Sequence, residues 1–134
     1  MQSELLIGPD PIPPPDPAAA HTWQSTCGAV ITFLGVVRDD EAGQPIAALD
    51  YEAFVPMAEH QFARLFAELE RRWPTVRSLR LVHRIGRVPV GEPSLRIDLA
   101  APHRPDAFAA CQWLIDEMKR VVPIWKRPVP RNAT

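Results

Sequence analysis

The stretch "GAVITFLGVVR", Gly28–Arg38, is apolar on both of its alternating faces and rich in β-branched residues. That pattern predicts a central strand, covered on both sides, around which a sheet must form. Arg38 ends it, and "DDEAGQP", Asp39–Pro45, follows as an acidic turn or flexible loop. A second strand is predicted in "IAALDYEAF", Ile46–Phe54, with Leu49, Tyr51 and Ala53 on one face and Asp50 and Glu52 on the other. Pro56 then opens a helix that runs to about Arg72, because proline in the first turn gives up no needed donor. Phe62, Leu65, Phe66 and Leu69 recur at helical spacing and supply its buried stripe.

Further out, strand character returns in "VRSLRLVHRIG" and "SLRIDLA", with a turn-rich excursion between them that holds a brief edge strand at Val88–Val90. A second helix is predicted from about Pro105 to Val121, with an inward stripe of Phe108, Cys111, Ile115, Met118 and Val122 and with Leu114 adjoining. Pro123 stops it. Upstream, "GPDPIPPPDP", Gly8–Pro17, has six prolines in ten positions, which favours polyproline II or disorder. The organisation is therefore a proline-rich flexible leader over 1–21, one folded unit over 22–128 and a short tail over 129–134. The fold class is α+β: two layers, with helices against a mixed, mostly antiparallel sheet.

Composition narrows the function. A chain of 134 residues that is 46% hydrophobic supplies a core without disulfides or metal. The net charge of -1 offers no global attraction for nucleic acid or an anionic membrane. No stretch of about 18 apolar residues occurs, so a soluble protein of a reducing, cytoplasmic compartment is expected. Cys27 and Cys111 are 84 residues apart and lack zinc-site spacing, and each sits among apolar residues, so both are expected to be core thiols rather than metal ligands. His21, His60 and His83 show no ligand spacing and are expected to be surface or structural; Trp23, Trp73 and Trp113 are assigned to packing.

The cations are unevenly used. Thirteen are arginines, and the two lysines, Lys119 and Lys126, fall in "MKRVVPIWKRPVPR", where five cations between Lys119 and Arg131 meet no anion. Guanidinium stays protonated, whereas an amine flanked by cations and shielded by Val121, Val122, Ile124 and Trp125 gives up its proton more readily and can act as nucleophile or base. Chance in an arginine-rich chain is the plain alternative. In "APHRPDAF", His103 and Arg104 stand at a helix start, where free N–H groups and an arginine fork attract phosphate, or where the pair simply caps the loop. Lys119 lies roughly 21 Å farther along that helix at 1.5 Å per residue. If both groups serve one small ligand, a second copy of the chain is the simplest way to join them, and a homodimer is expected. Arg38 is a further anion-binding candidate. Glu52 either orients Arg38 or is an ordinary outward carboxylate, and the residues alone do not choose.

Three ordered blocks, "GAVITFLGVVRDDEAGQPIAALDYEAFVPMAE", "HRIGRVPVGEPSLRIDLAAPHRPDAFAAC" and "IDEMKRVVPIWKR", closely resemble the MoaE family, the large subunits of molybdopterin synthase, over roughly Trp23–Arg127. The resemblance implies an α/β hammerhead-type fold and a dimer. It also implies a small ubiquitin-like sulfur-carrier partner of the MoaD type, whose C-terminal Gly-Gly thiocarboxylate enters the site. The implied reaction converts cyclic pyranopterin monophosphate into molybdopterin, with no cofactor or metal of the subunit's own. Carried onto matching positions, the resemblance makes Lys119 the principal catalytic lysine and Lys126 a second one. It places Arg38, His103 and Arg104 around the substrate phosphate, with the His103–Arg104 pair supplied across the dimer. Relatives often carry Lys-Glu where this chain has Arg127-Pro128, so no carboxylate is available there. The alternative function is a noncatalytic carrier-binding or scaffold subunit.

Overall fold

The computed structural model describes residues 1–14 and 23–131. Its main sheet has four strands in the order β1 (Gln2–Gly8), β5 (Ser78–Arg84), β7 (Pro93–Ala101), β2 (Ala29–Val36). β1 runs parallel to β5, and the β5–β7 and β7–β2 pairings are antiparallel. A second sheet is built on β4 (Gln44–Ala53), which pairs along one edge with β3 (Asp40–Glu41) and β6 (Gly86–Pro89) and along the other with β8 (Ile124–Pro130). Helices α1 (Val55–Arg72) and α2 (Arg104–Val121) cover one face of the main sheet. The predicted α+β class with a mixed, mostly antiparallel sheet is what forms.

The helices follow from their sequences. α1 carries proline in its first turn, Arg71 and Arg72 in its last, and buries Ala58, Phe62, Leu65, Phe66 and Leu69. The two arginines complement the negative end of the helix, and both bond Glu68, whose carboxyl they hold down at about 2. Leu69 is fully buried against the sheet, so truncating it to alanine costs about 2–5 kcal/mol. In α2 the buried set is Ala107, Ala110, Cys111, Leu114 and Met118. Phe108, expected inside, is 63% exposed. Small alanines at 107 and 110 let the helix approach the sheet, which rotates its stripe away from the bulky ring. Trp73 and Trp113 pack edge to face at 5.7 Å, with the Arg72 guanidinium 5.1 Å from the Trp113 ring, so these two tryptophans serve packing as expected.

Three expectations need correction. The Gly28–Arg38 stretch is not a central strand: among the described residues β2 is an edge, paired only with β7, and leaves Val30 39% and Val36 49% exposed. Its inward residues Ile31 and Phe33 do pack on the core, while no described element covers its outward face. The leader is ordered at its start, because "QSELLIG" finds the free edge of β5 and Ile12 is buried beyond it. The remainder of the predicted leader, residues 15–22 with His21, lies outside the described residues, as do 132–134 of the tail. The tail boundary also moves, since β8 carries Pro128 and Pro130 along an outer strand, where proline removes no needed ladder bond.

Cys111 is buried, as expected, and burial raises its thiol pKa. Cys27 is only half-buried and sits ahead of β2, outside the core cluster. Beside it, Gly28 donates its N–H to the Pro102 carbonyl, and a Cβ on Gly28 would sit 2.7 Å from that oxygen. Glycine is therefore required where β2 starts beside the loop that leads into α2.

Candidate active site

The two sheets meet where β5 gives way to β6 through the single residue Ile85. Gly86 takes a φ of +85°, a left-handed conformation that glycine adopts without steric cost, and this turns the chain from one sheet into the other. A cleft of about 560 Å³ opens at this junction, walled by β2, β4, β5, β7, β8 and the end of α2. Its size suits a drug-sized or cofactor-sized molecule.

Three of the five predicted site residues line it: Arg38, Lys119 and Lys126. Lys119 stands in the last turn of α2, directly after buried Met118, so the helix end fixes its base, and the exposed residue lines the cleft. Lys126 arrives from β8, in register with Tyr51 of β4. Arg38 follows the irregular end of β2, where the pairing register shifts between Gly35 and Val36. Neither Arg38 nor Lys119 has a side-chain partner among the described residues.

Lys126 differs: its Nζ is 3.2 Å from a Glu41 carboxylate oxygen. The predicted loop around Glu41 is a β-hairpin in which Ala42 and Gly43, at φ +52° and +82°, form the two-residue turn between β3 and β4. Positive φ at both positions matches the right-handed twist of the strands. Alanine there costs about 1–2 kcal/mol, which the paired strands hold in place. Glu41 is thereby presented to Lys126.

His103 and Arg104 do not line the cleft. They begin α2, at the end opposite Lys119, with His103 as the extended N-cap making no side-chain cap, and both are exposed. Glu52 does not orient Arg38: its carboxylate accepts from Trp125 Nε1 at 3.2 Å and pairs with Arg127 at 3.6 Å.

The deeper wall of the cleft holds Tyr51, His83 and Ser94, none of them a predicted site residue. His83, expected to be surface or structural, is buried; its Nδ1 bonds the Arg84 carbonyl at 2.8 Å, and its ring meets Tyr51 edge-on at 5.3 Å. Burial lowers its pKa, partly opposed by that backbone bond, so the imidazole is neutral at pH 7. The alternation of β5 was the available signal, since Leu79 and Leu81 are buried and His83 continues the same face. Among the described residues no group of three or more His, Cys, Asp or Glu stands together as a metal site.

A family profile described as "MoaE protein" matches residues 9–121. The chain belongs to the MoaE family. A "Molybdopterin synthase catalytic subunit" of Nostoc sp. is 42% identical over 103 residues, covering 77% of this chain and 62% of that protein. One of Drosophila mojavensis with the same name is 40% identical over 107 residues, 80% of this chain and 29% of that protein. This MoaE-family chain thus spans less than two-thirds of the length of these relatives. Among solved structures, the molybdopterin synthase of Staphylococcus aureus superposes with a TM-score of 0.79 at 32% identity, covering 97% of this chain and 92% of that one.

Proposed function

We propose that this MoaE-family chain is the catalytic subunit of a molybdopterin synthase, acting in the cytoplasm. It converts cyclic pyranopterin monophosphate to molybdopterin with sulfur from a thiocarboxylated, ubiquitin-like carrier. The observation that carries this reading is the convergence of Lys119, Lys126 and Arg38, from three separate elements, on one cleft. Two amines and a guanidinium at the rim of a recess partly walled by protein stabilise developing negative charge more than the same groups in open water do.

Lys119, with no protein partner, positions the carrier's thiocarboxylate and assists sulfur attack; Lys126 stabilises the charge that develops as the cyclic phosphate opens. Arg38 holds phosphate. His103 and Arg104 complete that grip from a second copy of the chain, because α2 separates them from their own Lys119 by roughly 22–24 Å at 1.5 Å per residue. Exposed Phe108 and the uncovered face of β2 leave apolar surface for such a pairing.

Reconstitution with a thiocarboxylated carrier and cyclic pyranopterin monophosphate, with mass detection of the product, tests this function. Product carrying two added sulfurs is expected. Formation of a stable carrier complex that never yields product would instead make the chain a scaffold.

A further inference from the structure

The cationic rim accounts for phosphate and thiocarboxylate but not for the neutral wall behind it. That wall is made by three side chains from three strands: Tyr51 on β4, His83 on β5 and Ser94 on β7. Their hydrogen bonds leave two groups unspent. The Ser94 hydroxyl is bonded to Tyr51 Oη at 3.1 Å and lies 3.4 Å from the Gly35 carbonyl. With Ser94 donating to Tyr51, the phenolic hydrogen of Tyr51 remains available as a donor. His83 is neutral, and its Nδ1–H is committed to the Arg84 carbonyl, so Nε2 carries a lone pair. Nε2 has no protein partner among the described residues. Nor is it sealed, because the only fully buried side-chain nitrogen or oxygen among them without a partner is Arg84 Nε.

A free donor and a free acceptor therefore stand on two rings whose centroids are 5.3 Å apart, in the wall of a cleft that holds no other neutral pair of this kind among its lining side chains. The complement of such a wall is a planar heterocycle with an amide-like edge, in which a ring N–H sits next to a carbonyl or ring nitrogen. We propose that Tyr51 and His83 are specificity-determining residues that read the pyrimidinone edge of the substrate's pterin ring, with Ser94 as the residue that sets the direction of the Tyr51 hydroxyl. This rests on the proposed function for the identity of the ring, and it divides the cleft into a neutral zone that recognises the heterocycle and a charged rim that handles phosphate and sulfur.

The probe is an unphosphorylated pterin, whose fluorescence reports binding to the purified chain without carrier or turnover. Saturable binding is expected for the wild type. Tyr51→Phe keeps the ring against His83 and removes only the hydroxyl; it is expected to weaken pterin binding about tenfold, the loss of one hydrogen bond that leaves a polar group unpaired. Ser94→Ala is expected to weaken it by a smaller factor, and His83→Gln at least as much as Tyr51→Phe. In the reconstituted complex, Tyr51→Phe is expected to raise KM for the cyclic substrate and leave carrier affinity alone. A merely structural trio would lower the thermal midpoint without moving the pterin Kd, and that result overturns the inference. So does the absence of saturable pterin binding to the wild type. If His83→Gln fails to fold, Tyr51→Phe decides by itself. Wild-type chain that binds pterin yet forms no molybdopterin would refute the proposed reaction and leave this recognition standing; active enzyme whose Tyr51→Phe variant binds pterin as wild type does would do the reverse.

Discussion

The two ends of α2 present opposite situations to the same kind of chemistry. At its C-terminal end, Lys119 enters a cleft that also receives Arg38 and Lys126, so the chain itself builds most of the surroundings. At its N-terminal end, His103 and Arg104 stand exposed, followed by a phenylalanine that is 63% exposed. Each end has the right ingredients for an anion: free N–H groups and an arginine at one, amines in a recess at the other. What differs is the recess beside Lys119, since Lys119, Lys126 and Arg38 are themselves exposed, as His103 and Arg104 are, and a charge is worth more than on an open surface only where water is excluded. Either end is closed to water only if something packs there, and a second copy presenting its own cleft is the arrangement that would also join the two charge sets.

The largest effect separating the two ends is expected from Lys119→Ala. This substitution should lower kcat about a hundredfold or more, the usual scale for removing a group that acts in proton transfer or covalent chemistry, while the thermal midpoint stays near wild type because the amine has no partner among the described residues. Single-turnover product formation by mass detection reads it; an unchanged rate would remove Lys119 from the chemistry. Arg104→Ala should act on capture, raising KM for the cyclic substrate about tenfold with a smaller change in kcat, as expected for a hydrogen-bonded charge on phosphate. An unaltered kcat/KM would detach the exposed end from the site.

A smaller effect distinguishes the two lysines. Lys126 is already paired with Glu41, and under the proposed function that carboxylate would have to yield to the incoming anion. Glu41→Gln is therefore expected to lower KM for the cyclic substrate by a few-fold, in line with the modest strength of a partly exposed ion pair. A raised KM in steady-state kinetics would mean that Glu41 orients Lys126 rather than competing for it. The smallest expected effect comes from the wall behind the rim. Burial lowers the His83 pKa in the folded chain below its ordinary 6.5, so the unfolded chain binds the proton more readily. Stability from this group is full above about 6.5 and is lost as pH falls toward the lowered folded value, complete only below it. Denaturant midpoints across that range check the sign, and His83→Gln should flatten the slope.

The strongly periodic elements were legible in the residues. The α1 stripe of Phe62, Leu65, Phe66 and Leu69 is buried as its spacing dictates, and the alternation of Leu95, Ile97 and Leu99 places them in the core. What escaped depends on distant partners. β1 is held by pairing with β5, 76 residues away, a non-local interaction that no local pattern in "QSELLIG" announces beside six prolines. β8 was hidden by its own prolines, and β2 was placed at the centre because its apolar outer face, Val30 and Val36, looks the same whether covered or bare.

The site divides in the same way. Lys119 and Lys126 stood out because lysine is rare in this chain, and the family resemblance added roles for them, for Arg38 and for His103 and Arg104. Tyr51, His83, Ser94 and Glu41 lie on four different strands, and only the junction of the two sheets brings them to one cleft.

The most direct test of the shared site is to co-produce a Lys119→Ala chain with one that carries His103→Ala and Arg104→Ala. If each site takes its lysine from one copy and its His103–Arg104 pair from the other, random pairing makes half of the dimers mixed, and each mixed dimer holds one intact site, so about a quarter of all sites should regain wild-type turnover. Activity no higher than the sum of the two variants measured separately would contradict a site built by two copies.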